Sequence, residues 1–388
     1  MDPFAALPWF ILRDILCLLP DLPTLHRASQ SSRAVSGFLR RTGAFPHVVE
    51  TIIAHKDRAQ GVNPKVQLYL RTLVYVWWRG SPDAAADDNP LPASFEDVAY
   101  FIGKSCPDGK TLPTGFGDSP IPRSTPSAVL YRLLELSTQL RQTAHACFHD
   151  WMARCRALKP ERRENQRAEF SHLYCHPRPR GVPITPVDIG PPSWLEEQRL
   201  IRAILRYHLF WELKAAVTTG ILSADRDNMD LALFAENDIQ TFWCGATSTP
   251  IPRLRADHGT QFKAVFAWLQ QQRPIGPESL YCCPELTPLS AKQLQLPDDS
   301  QMSFVPGYVW MRKINKGRSP MRNLDRTIFQ QLGFDFWDEE RLVALGFMVP
   351  LNGKSTSPGS HRDEQDLWYR WSSILTESQW IESIQRQL

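Results

Sequence analysis

Residues 73–78 read Leu73-Val74-Tyr75-Val76-Trp77-Trp78, six apolar and aromatic side chains in a row. A run of this length suits a buried strand or a turn and a half of buried helix, and the two readings lead to different fold classes. The residues before it decide for helix. Asn63-Pro64 places a capping side chain and a proline at a helix start, and Val66 and Leu70 carry the run backwards at helical spacing. The spacing therefore predicts a helix over 64–79, with Gly80 as its stop.

Working outward, the same period predicts helices near 7–19, 23–31, 33–41, 46–60, 95–104, 127–158, 193–218, 228–236, 259–272, 322–332, 337–345, 364–375 and 377–387. Start signals support them: Thr125-Pro126, and capping boxes at Ser94/Asp97, Ser193/Glu196 and Thr376/Gln379. Gly220 is a natural stop. The fold class is all-α: an N-terminal three-helix module over 1–42, then a helical, loop-rich region over 43–388. Loops fall at 80–93, 105–125, 159–192, 245–258, 273–300 and 352–362. The longest, 159–192, runs from a charged stretch into prolines and reads as a flexible insertion.

Composition bounds the function classes. The chain has 388 residues, 43% hydrophobic and 22% charged, with a net charge of +3, which excludes global disorder and a multi-span membrane protein. Thirty-two prolines against 20 glycines imply abrupt element ends, and 13 tryptophans imply thick helix packing. Eight cysteines without a C-x-x-C pair fit a reducing compartment. Phe4 to Leu19 is apolar, but Asp2 stands where a basic leader would begin, and Arg13 and Asp14 interrupt it. That excludes a signal peptide, and no 18-residue apolar run offers a membrane span. The expected location is intracellular, in cytoplasm, nucleus or both.

Motifs for chemistry are sparse. There is no phosphate-cradling glycine loop and no nucleophile elbow, so an enzyme reading lacks a nucleus and no catalytic residue is assigned. His145, Cys147, His149 and Cys155, followed by His172, Cys175 and His176, form the nearest approach to a metal cluster. The cysteines share a stripe with Leu140, Ala144 and Trp151, so they read as small core residues, and neither metal nor cofactor is expected. Asp225, Asp227, Asp230 and Glu236 resemble a calcium loop but lack its turn glycine, so Asp227 or Asn228 reads as a helix cap. Residues 154–180 hold eight basic residues against three acids, and 312–326 six against one. The second stretch, with Tyr308 and Trp310 nearby, is a short basic patch, but the overall charge argues against nucleic-acid binding.

The first forty residues carry the strongest signal. On a helical wheel Trp9, Ile11, Leu12, Ile15, Leu16, Leu18 and Leu19 cover about half the circumference, with Arg13, Asp14 and Cys17 opposite and Phe10 on that polar side. A surface helix seals itself with a stripe of about 100°, so a half-circumference stripe calls for two packing partners. After Pro20-Asp21-Leu22-Pro23 come two more short helices, the third with Val35, Phe38 and Leu39 inward. Some forty residues bury too little surface to stand alone.

Leu7-Pro8, Ile11-Leu12, Ile15-Leu16, Leu18-Leu19-Pro20, Leu22, Leu25 and Ser29 to Leu39 resemble an F-box, the three-helix module of ubiquitin-ligase adaptors. Pro20 to His26, with the helix entered through Phe45-Pro46, is similar to a fungal group of F-box-like proteins with large helical C-terminal regions. Val35 and Ser36 stand where the usual pattern often has a tryptophan. The resemblance covers residues 7–41. It implies that Leu7, Pro8, Ile11, Leu12, Ile15, Leu16 and Leu25 dock on a Skp-type linker subunit that bridges to a cullin scaffold. The remaining chain would then recruit an unknown protein substrate, with no membrane partner. The alternative is a non-enzymatic helical scaffold in which the same helices are internal core.

Overall fold

The computed structural model describes residues 2–41, 43–54, 62–81, 94–102, 120–164, 180–225, 228–244, 252–272, 324–348 and 361–385. Among these the fold is all-α. Its helices are α1 (Trp9–Cys17), α2 (Leu22–Ser31), α3 (Arg33–Arg41), α4 (Phe45–Ile53), α5 (Pro64–Arg79), α6 (Phe95–Phe101), α7 (Ser127–Ala157), α8 (Trp194–Thr218), α9 (Met229–Glu236), α10 (Ile239–Cys244), α11 (Pro252–Gln272), α12 (Thr327–Gln330), α13 (Glu339–Ala344), α14 (His361–Ser372) and α15 (Glu377–Gln385). A two-stranded antiparallel ribbon joins β1 (Glu161–Arg162) to β2 (Val182–Pro183).

The run at 73–78 is helical, within α5, and every residue of it is buried. A helix apolar on all sides needs cover on all sides. Even Arg71, one turn earlier, is buried, held by Glu50 at 2.5 Å. Asn63 Oδ1 accepts from the Lys65 amide at 3.0 Å, the cap expected from Asn-Pro. The capping boxes also form. The Ser193 amide donates to Glu196 and the Glu196 amide to Ser193 Oγ; Thr376 and Gln379 exchange the same pair of bonds.

The chain divides into two compact units, the boundary falling inside α7 after Ala144 and inside α8 after Arg199. In the first unit α1 packs on α4 and α2 on α3 and α4, while Phe95, Phe210, Phe234 and Phe242 form an aromatic cluster with ring centroids 5.1–6.4 Å apart. In the second unit the core is Phe148, Trp151, Phe334, Phe336, Trp337, Phe347 and Trp371. Gly333 turns the chain there with φ +73°, and a Cβ at that position would collide with Trp337 and Trp151.

Several elements differ from the sequence reading. Helix α11 begins at Pro252, not 259, because proline at the first helical position starts it and Gly259 is tolerated inside. Helix α10 replaces an expected gap. Helix α12 has four residues where eleven were expected, and Gly333, at φ +73°, closes its C-terminal end. Of the segment read as a flexible insertion, 159–192, the described parts are fixed to the second unit: the Glu161 amide donates to Ser373 Oγ, Ile184 to the Pro160 carbonyl and Val187 to the Ala344 carbonyl. Of the expected loops at 80–93 and 273–300 and the patch at 312–326, residues 82–93, 273–300 and 312–323 lie outside the described residues.

Candidate functional site

The wide apolar stripe of α1 resolves into two rows about 100° apart. Leu12 and Leu16, one turn apart, point inward and are 4% and 1% exposed, and Leu25 on α2 is fully buried. Ile11, Ile15 and Leu18 follow spacings of four and three and remain 39%, 37% and 71% exposed. Pro8 is exposed at the start of the same row, and Leu7 is half-buried. Trp9 and Phe10, 59% and 46% exposed, extend the outer surface, their rings edge-to-face at 6.0 Å.

The residues assigned to docking therefore separate. Ile11, Ile15 and Pro8 lie on the solvent face with Leu7 at its edge, whereas Leu12, Leu16 and Leu25 are sealed inside and offer a partner no surface. Those three are corrected to core residues: α4 covers the inner row of the stripe and leaves the outer row in solvent. Phe10 and Leu18 complete the outer face; Leu18 was visible in the wheel, while Phe10 fell on its polar side. Such a contiguous exposed cluster of large apolar side chains is the usual mark of an interaction surface.

The module is pinned by polar contacts. The Asp2 carboxylate accepts from the Phe4 amide at 3.0 Å, the Ser32 hydroxyl at 2.8 Å and the Ala34 amide at 3.0 Å, which hold it below the ordinary carboxylate range. It thereby ties residues 2–8 to the start of α3. Asp21 caps α2 through the Thr24 amide and pairs with Arg141 at 2.7 Å. His26 Nδ1 lies 2.9 Å from Thr138 Oγ1, whose hydroxyl reaches the Leu134 carbonyl, so this pair fastens α2 to α7.

Two further polar clusters are internal. In the second unit Arg341, 1% exposed, pairs with Glu196 at 2.9 Å, donates to the Pro191 carbonyl at 2.8 Å and lies over the Phe148 ring at 4.6 Å. Burial, and then the nearby Asp338, push the Glu196 carboxyl up against the pull of Arg341. Arg199 donates to Asp338 at 2.6 Å and to the Phe336 carbonyl at 2.8 Å. In the first unit Glu212 accepts from Trp77 Nε1 at 2.8 Å and from Arg132 at 2.6 Å, and its Oε1 lies 3.3 Å from His208 Nε2. Burial works to raise this carboxyl, but His208, Arg132 and Trp77 together hold it low. These are packing clasps, with both partners committed to one another.

The metal-like residues do not converge. His145 Nε2 is 2.9 Å from Glu197, the Cys155 thiol donates to the Leu332 carbonyl, and burial pushes Cys147 well up and Cys155 to about 12, which keeps both thiols protonated. Among the described residues no group of three or more His, Cys, Asp or Glu is placed to hold a metal ion. His172, Cys175 and His176 lie outside them. In the calcium-like segment Asn228 caps α9 through the Asp230 amide, as the helix-start reading expects. Of the first basic stretch, Arg154 pairs with Asp150 and Arg156 with Asp188. Among the described residues no helix is long and apolar enough to cross a membrane.

The outer face of α1 thus holds five of the seven large apolar side chains that are exposed among the described residues. No protein-family model, no curated protein and no solved structure matches this chain.

Proposed function

We propose that the chain is an F-box-type adaptor: residues 7–41 dock on a Skp-type linker subunit of a cullin-based ubiquitin ligase, and the rest recruits a protein substrate. The single supporting observation is the exposed row Pro8, Ile11, Ile15 and Leu18 flanked by Trp9 and Phe10. Leaving those side chains in water forgoes roughly 25 cal/mol for each Å² that a groove would cover, and a short amphipathic helix laid into an apolar groove recovers it. In this reading bond chemistry belongs to other subunits, and the chain contributes proximity, raising the effective concentration of substrate near a charged ubiquitin carrier.

The second reading is a scaffold whose N-terminal helices are internal core, favoured by the complete burial of Leu12, Leu16 and Leu25. Binding to a purified Skp-type subunit separates the two. The adaptor reading expects wild-type binding that Ile11→Asp with Ile15→Asp abolishes while the circular dichroism spectrum is unchanged. Absence of wild-type binding, or unfolding of that variant, overturns it in favour of the scaffold.

A further inference from the structure

The same module is electrically unbalanced. Residues 2–41 contain five arginines and three aspartates. Asp14 pairs with Arg13 at 2.8 Å and Asp21 with Arg141, while Asp2, hydrogen-bonded to Ser32 and Ala34, keeps its negative charge at the start of α3. The other four arginines, Arg27, Arg33, Arg40 and Arg41, are exposed, and none has a carboxylate partner among the described residues. Arg27 donates to Thr24 Oγ1 at 3.3 Å, and Arg40 lies 5.4 Å over the Tyr131 ring. Arg33 and Arg40 are seven residues apart on the solvent side of α3, opposite the buried Val35, Phe38 and Leu39, with Arg41 beside them. An apolar face and a net excess of positive charge thus occur on one three-helix unit.

We infer that the partner docking on α1 presents an apolar groove on a negatively charged surface, and that Arg27, Arg33, Arg40 and Arg41 steer it into place. This rests on the adaptor reading and adds the partner's charge. Exposed charges act over a Debye length of about 8 Å at physiological salt, so they govern approach more than final contact. An anionic lipid surface would also attract an apolar and basic module. The protein partner is favoured because α1 has only nine residues, carries an exposed Asp14, and leaves the unpaired arginines on α2 and α3 and not along its own flank, where an interfacial helix places them.

The experiment measures association and dissociation rates of the full chain with a purified Skp-type subunit at low and high salt. Electrostatic steering raises association by roughly 10- to 1000-fold, so the low-salt rate should fall at least about tenfold at high salt, with dissociation little changed. Exchanging Arg27, Arg33, Arg40 and Arg41 for glutamine should remove that salt dependence at an unchanged melting temperature, and the four-lysine variant should retain it. Salt-independent association, or glutamine rates equal to wild type, overturns the steering and leaves the adaptor reading standing. Failure of the wild type to bind at any salt is the separate result that removes the adaptor reading. Binding to phosphatidylserine vesicles that the glutamine variant loses, without subunit binding, assigns the face to lipid and overturns both.

Discussion

Arg341 shows what a single buried charge demands. Its guanidinium has left water entirely, and the Glu196 carboxylate, the Gly190 and Pro191 carbonyls and the Phe148 ring replace the lost hydration. Removing one member of such a pair strands the other, and that is where the cost lies. Arg341→Met should destabilise the protein by about 3–5 kcal/mol, whereas adding Glu196→Gln should restore much of the loss. Urea unfolding of the two single variants and the double variant gives the coupling directly. The sequence revealed Glu196 only as a capping-box residue. Its second partner, 145 positions later, is a tertiary fact that no local pattern encodes.

At the scale of elements, α1 divides its apolar surface between the molecule and the solvent. Leu16→Ala should cost about 2–5 kcal/mol, as truncation of a sealed core leucine does, while Ile15→Ala one position away should stay within about 1 kcal/mol. Thermal or urea denaturation distinguishes them, and equal losses would mean that Ile15 is also core. The stripe's width was legible in the sequence. Which half α4 would cover was not, because that depends on where the chain returns after α3. Helix α5 could be read correctly because its Asn-Pro start lay within the same local segment as the ambiguous run. Helix α10 escaped because six residues make less than two turns of periodicity, and β1 and β2, two residues each, are created by pairing and by the Glu161–Ser373 contact and not by β-propensity. The aromatic flank was only half visible: Trp9 lay on the stripe, whereas Phe10 fell on the polar side of the wheel and still stands beside Trp9 on the exposed surface.

For the whole molecule, the near-balanced net charge conceals local repulsion. Lys65 is an exposed residue, but crowding of its ammonium against the fold, which strips part of its hydration, and the charges of Arg202 and Arg206 on α8 lower it to about 8. Below about pH 8 the folded and unfolded chains both carry this proton, and the fold bears the repulsion. Between about 8 and the ordinary lysine value of 10.5 the folded chain binds fewer protons than the unfolded one, so this residue makes stability rise with pH. Lys65→Met should therefore be more stable than wild type near neutrality, and its advantage should shrink as pH climbs through that window. Urea midpoints of both proteins across the range check the sign. An advantage that grows with pH would contradict it.

The ribbon of β1 and β2 has a consequence for engineering. Because Glu161 pairs with Pro183 and Arg162 with Val182, two points some twenty positions apart in the sequence are held side by side. Between ends fixed in this way, loop closure costs only about 0.6 kcal/mol more for each doubling of loop length. The stem thus acts as a socket: an epitope grafted between the two strands would enter and leave through paired ends at little thermodynamic expense, far along the sequence from α1.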